Sequence, residues 1–387
     1  MAEQAEIASR GIGARGLGGR FWTLIAATYL AFVGIGTVLP RMALHVRALG
    51  GSDRTVGFVI GAFSVVALAS RFISGPLADR KGRKITFLLG LGSCSLAGVA
   101  YFLPLGLLGA YLGRGMQGFG EACLYTGAAA WAVETAGVHR SGRALGFVST
   151  GIWGGISTGP LIGQWVGSFE RAAALQIVAA IAAFVLLWQV PEHYVPHPSP
   201  GKRIWIPKSL IPSGLAIGFV NIHYPVVTGF LILYMAKTGG SGPAAFSAYA
   251  LMVLLSRFFL GGLPDRVPPA YTFYGGLSFM AIGLFTLALF PGPLTSLAGA
   301  LCLGFGFAFP WASVASTVLK RTPSHQRGST VGVLSAFFDL FVGAGSFAAG
   351  ILADHFGYSA AFLLALGGVL MAAVVGTRVF QKPESAD

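Results

Sequence analysis

The sequence predicts an all-α integral membrane protein with twelve transmembrane helices in two pseudo-symmetric six-helix bundles. Three observations carry this. Of 387 residues, 55% are hydrophobic and only 10% charged, where a soluble chain carries about 25% charged residues. The apolar residues gather into twelve runs of bilayer-spanning length. A ten-residue segment of one half recurs in the other. At a mean hydropathy of +0.73, a soluble globule would have too few charges to cover its surface. That excludes a cytosolic enzyme, a disordered scaffold and a disulfide-built secreted domain.

A helix needs about 20 apolar residues to cross a bilayer. In chain order the runs centre near Ala31, Val65, Gly92, Gln117, Gly155 and Ala180, then Pro225, Val253, Ile282, Gly304, Asp339 and Gly367. So many spans leave little chain for connections. The long polar exception is residues 191–209, whose five prolines and basic residues mark a linker. The expected organisation is an N-terminal tail (1–20), a first bundle (21–190), the linker (191–209), a second bundle (210–380) and a C-terminal tail (381–387).

The net charge of +13 lies between the apolar runs, which points to topology rather than to nucleic acid. With the N-terminus inside, interior segments hold eighteen Lys and Arg and exterior segments five. Both termini are therefore expected in the cytoplasm, and the chain in the plasma membrane, the inner membrane of a bacterium. The N-terminal tail lacks the short apolar core and cleavage site of a signal peptide. Cys94, Cys123 and Cys302 lie singly in apolar runs, with no spacing for a metal site or a disulfide framework.

Residues 71–80 read RFISGPLADR and residues 257–266 read RFFLGGLPDR, identical at six of ten positions and 186 residues apart. Both copies fall where the second span of a six-helix unit meets the cytoplasm. Two such halves related by an axis along the membrane normal form a transporter architecture. Duplication within one chain favours a monomeric carrier over a channel, which is built from symmetric subunits.

The segment Gly75-Pro76-Leu77-Ala78-Asp79-Arg80-Lys81-Gly82-Arg83-Lys84 resembles the loop 2–3 signature of the major facilitator superfamily. Arg114, Gln117, Gly118, Gly120 and Ala122 resemble its helix 4 pattern. Gly146, Gly155, Gly159, Pro160 and Gly163 resemble the helix 5 signature of its twelve-span drug:proton antiporters, with Gln164 where that group has a second glycine. The resemblance implies secondary active export of a small organic molecule against protons. It sets Asp79 against the start of helix 11, near Gly328 and Ser329, as a cytoplasmic gate with Gly75, Arg80, Gly82 and Arg83. Asp265 and Arg266 look like a degenerate second gate, because Val267-Pro268-Pro269 replaces the basic run. The same basic residues also serve simply to fix topology.

On helix 4, residues near seven apart share a face, so Arg114, Gln117, Glu121 and Tyr125 form one stripe. A charge at mid-membrane costs about 2.5–3.5 kcal/mol, so the stripe must face protein or a watery cavity. Asp339 lies about eleven residues into helix 11, on the order of half the membrane at 1.5 Å per residue. Glu121 and Asp339 are the acidic residues deep in spans. A carboxylate out of water favours its protonated form, a property that suits a proton carrier. These two are candidate proton or cation sites, with Arg114 as their modulator. Alternatively, Glu121 forms a structural pair with Arg114, and Asp339 bonds Ser335 or another helix.

Asn221, Tyr224 and Thr228 sit at helical spacing on helix 7, with Pro225 as a kink and His223 on another face. With Gln117, Tyr125, Trp153 and Phe338 they are candidates for a substrate cavity. Phe337, Phe305 and Trp311 are further candidate aromatic walls. The helix 5 glycines, with Pro160, suit close and bendable packing between the two halves. An enzyme would need a nucleophile–base set or metal ligands. The histidines are scattered, no metal motif or phosphate-binding Gly-rich loop occurs, and no cofactor is implied. The expected partners are a small molecule, a proton and the lipid bilayer. The alternatives are a proton symporter or facilitator importing a sugar or organic acid, or a dedicated exporter of a metabolite or siderophore.

Overall fold

The computed structural model describes residues 17–136, 140–192, 207–323 and 327–381, without the side chains of residues 141, 142, 265 and 327–329. The first half holds α1 (Gly19–Ala48), α2 (Asp53–Lys81), α3 (Arg83–Ala100), α4 (Leu107–Ala136), α5 (Ser141–Trp165) and α6 (Phe169–Trp188). The second holds α7 (Lys208–Lys237), α8 (Gly242–Leu260), α9 (Pro269–Leu289), α10 (Pro293–Arg321), α11 (Arg327–Phe356) and α12 (Tyr358–Phe380). Each expected span centre falls inside its helix.

Two helices are interrupted, and proline explains both. In α7 a π-turn at Val227–Leu231 follows Pro225, which has no N–H to donate to the preceding turn. In α10 the helix breaks at Ala308 and Phe309, just before Pro310. Among the described residues, nine of the helices are long and apolar enough to cross a membrane. The others are α3, which opens on Arg83-Lys84, α4, which carries Arg114 and Glu121, and the glycine-rich α5. Val178, Ile181 and Val185 lie one turn apart on α6 and are 58%, 52% and 63% exposed. That apolar stripe faces outward and needs lipid to cover it.

The internal repeat is visible in the packing. Gly155 of α5 fits against Phe32 of α1. At an offset of 186, Phe341 of α11 lies over Gly218 of α7. The paired helices are preserved, and the large and small residues trade places.

This packing corrects the expectation for helix 5. A β-carbon at Gly155 would lie 2.6 Å from the Tyr29 carbonyl oxygen, and one at Gly159 would lie 2.7 Å from the Gly36 α-carbon. Gly163 closes on Thr37. The stripe joins α5 to α1 inside the first half, because glycines four apart make one flat face, which takes one partner.

The halves meet most closely along α2 and α11, with a smaller contact between α5 and α8 that the helix 5 glycines do not make. Gly57 lies against Gly350, and the Ser346 hydroxyl donates to the Gly57 carbonyl at 2.6 Å. Tyr358 donates to Asp53 at 3.0 Å, and Lys237 stands 4.5 Å over the Tyr358 ring. All of these contacts lie toward the end of the bundle away from the termini. Toward the termini, a β-carbon at Gly75, Gly146 or Gly332 would meet nothing within 4 Å. Among the described residues the seam is closely packed at its far end, and open space lies beside these three glycines at its terminal, looser end.

Candidate functional site

Two clusters, one ionic and one aromatic, occupy the helices along the seam. In the first, Arg71 of α2 points at Asp339 of α11, with Nε 2.6 Å from Oδ2. Its Nη2 is 3.7 Å from Glu121 Oε2 of α4, close enough for attraction but too long for a hydrogen bond. The Arg71 guanidinium also stands 5.2 Å over the Tyr125 ring. Asp339 is 2% exposed, and Arg71 and Glu121 are 12% and 13%. Glu121 and Asp339 thus converge from different halves on one arginine. Asp339 bonds Arg71, and not Ser335, whose hydroxyl has no partner among the described residues.

The helix 4 stripe divides. Glu121 and Tyr125 join Arg71, whereas Arg114 donates to Gln117 at 2.5 Å and lies over Phe63. Gln117 donates to Gln176 at 2.8 Å, which donates to the Cys94 carbonyl at 2.6 Å. Gln117 is fully buried in this chain of bonds within the first half, not in a cavity wall. Arg114 pairs with neither carboxylate. Arg71 fills the place expected for it, because the stripe's counter-charge comes from a neighbouring helix.

The second cluster is aromatic. A cavity of about 20 Å³, room for about one water, lies between α1, α5, α7, α8 and α10. Trp153, Pro160, Tyr224, Thr228, Tyr249 and Phe307 are among its lining residues. Phe338 packs 5.9 Å from Trp153 and 6.1 Å from Tyr224, and Trp311 lies 6.4 Å from Trp153. Phe305 packs away against Phe279, and Phe337 covers Gly214.

On α7, Asn221 bonds back to the Ile217 carbonyl, and its own carbonyl oxygen is buried without a partner among the described residues. His223 is fully buried beside the Phe307 ring at 4.4 Å. Its Nδ1 faces the Val220 carbonyl at 2.7 Å, which can only accept, so Nδ1 carries the proton. Its Nε2 then accepts from the Tyr249 hydroxyl at 3.2 Å. His223 therefore helps fix the cavity wall from behind.

Arg83, in the cluster expected to gate, donates to Glu134 at 2.5 Å, and its backbone N–H to Glu192 at 2.6 Å. Lys84 reaches the Trp188 and Val190 carbonyls. These bonds tie the α2–α3 turn to α4 and to the end of α6, inside the first half. Gly82 sits at φ +104, where a side chain is strained. Asp79, Arg80 and Arg266 are exposed. The side chains of Asp265 and Ser329 are outside those described, as is part of the linker (193–206).

Residues 21–341 and 230–387 match the family described as Major Facilitator Superfamily. The chain belongs to the Major Facilitator Superfamily. It is 27% identical over 367 residues to an uncharacterized MFS-type transporter of Salmonella typhimurium, covering 90% of this chain and 94% of that one. A similar transporter of Burkholderia mallei is 26% identical over 377 residues, covering 93% and 92%. Among solved structures, the chain resembles a D-xylose–proton symporter at TM-score 0.76 and 17% identity, covering 92% of this chain and 96% of that one. It resembles a human organic anion transporter at TM-score 0.71 and 15% identity, covering 92% and 98%. At these identities the structural likeness concerns the fold.

The sequence alone did not single out Tyr249 and Phe307, which line the cavity, or Arg71, or Arg257, whose guanidinium lies 4.4 Å over the Trp153 ring. For the two arginines the signal was present: both are charges inside apolar runs, and both open the repeated segment.

Proposed function

We propose that this major facilitator protein is a monomeric secondary transporter of the plasma membrane that exports a small organic molecule in exchange for protons by alternating access. One observation carries this: Arg71 joins Glu121 of the first half to Asp339 of the second across the seam. Protonating Asp339 weakens the bond between the halves, and protonating Glu121 leaves Arg71 to Asp339 alone, so proton occupancy is linked to their relative position. The short Asp339 contact and the long Glu121 contact make Arg71 a group that can change partners. With the termini in the cytoplasm, as the charge distribution predicts, the looser end of the seam faces inward and the substrate enters from the cytoplasm. The helix 5 pattern supports export. Import by a proton symporter would use the same triad in the reverse direction.

The test is intracellular accumulation of a diverse compound panel in a host without its own efflux pumps. Wild type should lower accumulation of at least one compound. Asp339→Asn, Glu121→Gln or a protonophore should each remove the effect. Raised accumulation would reverse the direction, and an effect unchanged by the protonophore would sink proton coupling.

A further inference from the structure

The 186-residue offset maps the whole ion triad onto the second half. Arg71 corresponds to Arg257, Glu121 to Phe307 and Asp339 to Trp153. The geometry follows the correspondence. Arg71 lies between Glu121 and Asp339. The Arg257 guanidinium lies 4.4 Å over the Trp153 ring and 5.5 Å over the Phe307 ring. Asp339 and Trp153 are each twelve residues into α11 and α5, so both sites lie at matching depth. Where one arginine meets two carboxylates, its counterpart meets two aromatic faces.

The consequence is a charge without a counter-ion. Nε and Nη2 of Arg257 are buried and have no hydrogen-bond partner among the described residues, and no ion pair is found there. Aromatic faces attract a cation but do not accept the in-plane N–H groups of a guanidinium. Those donors, a flat fork suited to an oxyanion, stay unspent. Trp153 and Phe307 also line the central cavity, to which Tyr224, Thr228 and Ser157 bring hydroxyls.

We propose that Arg257 is the substrate-binding cation of this transporter and that the substrate is an organic anion. A carboxylate or phosphate group meets the guanidinium fork, and a flat apolar body lies among Trp153, Phe307, Tyr224 and Phe338. This rests on the transporter assignment and adds the substrate class. The cavity is nearly shut, so the rings part to admit the anion from the looser end of the seam. The triad then serves the proton, and its aromatic counterpart serves the substrate.

The test is equilibrium binding to the purified full-length chain in detergent, by isothermal titration. Sodium benzoate, 1-naphthoate and phenyl phosphate are compared with benzamide, 1-naphthamide and benzylamine. At least one anion should bind tenfold or more tighter than its neutral counterpart. R257Q should reduce that preference to within twofold, and R257K should retain part of it. Equal binding of amides or amines, binding of none of the three anions, or a preference that survives R257Q would each overturn the assignment. A second measurement needs no variant: 1-naphthoate should slow phenylglyoxal modification of Arg257 in wild type, read by mass spectrometry, and absence of protection counts against the site. No proton gradient is involved. Loss of proton-driven transport in D339N with anion binding intact would therefore concern the triad, and loss of anion preference would concern Arg257.

Discussion

Gly57→Ala tests how tightly the far end of the seam is closed. A β-carbon there would lie 2.5 Å from the Ser346 carbonyl oxygen and 2.6 Å from the Gly350 α-carbon, where ordinary contact begins at 3.4 Å. Helices α2 and α11 must part by about 0.8 Å, and close-packed interiors resist that. Overpacking of this kind costs about 1–3 kcal/mol. Losing the Ser346–Gly57 hydrogen bond adds about 0.5–1.5 kcal/mol. Both costs fall only on the state in which this end is closed, because the two glycines separate when it opens. Together they give a bias of about 1.5–4.5 kcal/mol, which changes the ratio of states by about tenfold or more. The reporter is Ser64→Cys on α2, buried against Gly343 in the same seam. Its background has Cys94, Cys123 and Cys302 changed to alanine. Maleimide labelling of position 64 should quicken at least fivefold in Gly57→Ala. An unchanged rate in a folded variant would mean that this contact does not hold the end shut. A lower Tm with an unchanged rate would mean that both states bear the cost, and would refute the gating argument.

Tyr358→Phe removes the bond to Asp53 at that same end and should move the labelling rate in the same direction but by less, since one hydrogen bond contributes about 0.5–1.5 kcal/mol. Arg71→Met leaves two buried carboxylates without their cation and should destabilise the protein by about 3–5 kcal/mol. Adding Asp339→Leu and Glu121→Leu should recover much of that loss, and a triple variant no more stable than Arg71→Met would show that the triad does not act as a unit in thermal unfolding. Gln176→Leu leaves the buried Gln117 amide only its long contact to the Ile35 carbonyl at 3.5 Å, at about 1–3 kcal/mol, and should lower Tm without altering anion preference. Gly82→Ala places a side chain at φ +104 against Glu192, and should cost about 1–3 kcal/mol in Tm.

Much of the architecture was legible in the chain. Spans show because each must be apolar over a fixed length, and Pro225, with no N–H to donate, marks the irregular part of α7. Partners across the seam were harder. The helix 4 stripe placed Arg114 and Glu121 on one face, but periodicity along one helix does not tell which neighbour supplies the opposing charge. Arg71 does so from α2. The helix 5 glycines announced a close contact without naming the helix on the other side, which is α1. Glu121 and Asp339 stood out because carboxylates are rare in lipid. Arg257 did not, because its significance lies in what surrounds it. Carrying the 186 offset from Arg71 to Glu121 and Asp339 would have found Phe307 and Trp153 from sequence alone.

The pairing of an ionic triad with an aromatic one also bears on why the two halves share a chain. An assembly of two identical half-length subunits can only present each residue twice, related by its symmetry axis. Carboxylates at the Glu121 and Asp339 positions would then recur at Phe307 and Trp153, and both arginines would be neutralised alike. Fusion removes that constraint. Once the copies are joined, one can keep its acids while the other replaces them with rings. A single mutation then touches one site rather than two. The division of labour in the seam is thus open to a fused protein and closed to a homodimer of its halves.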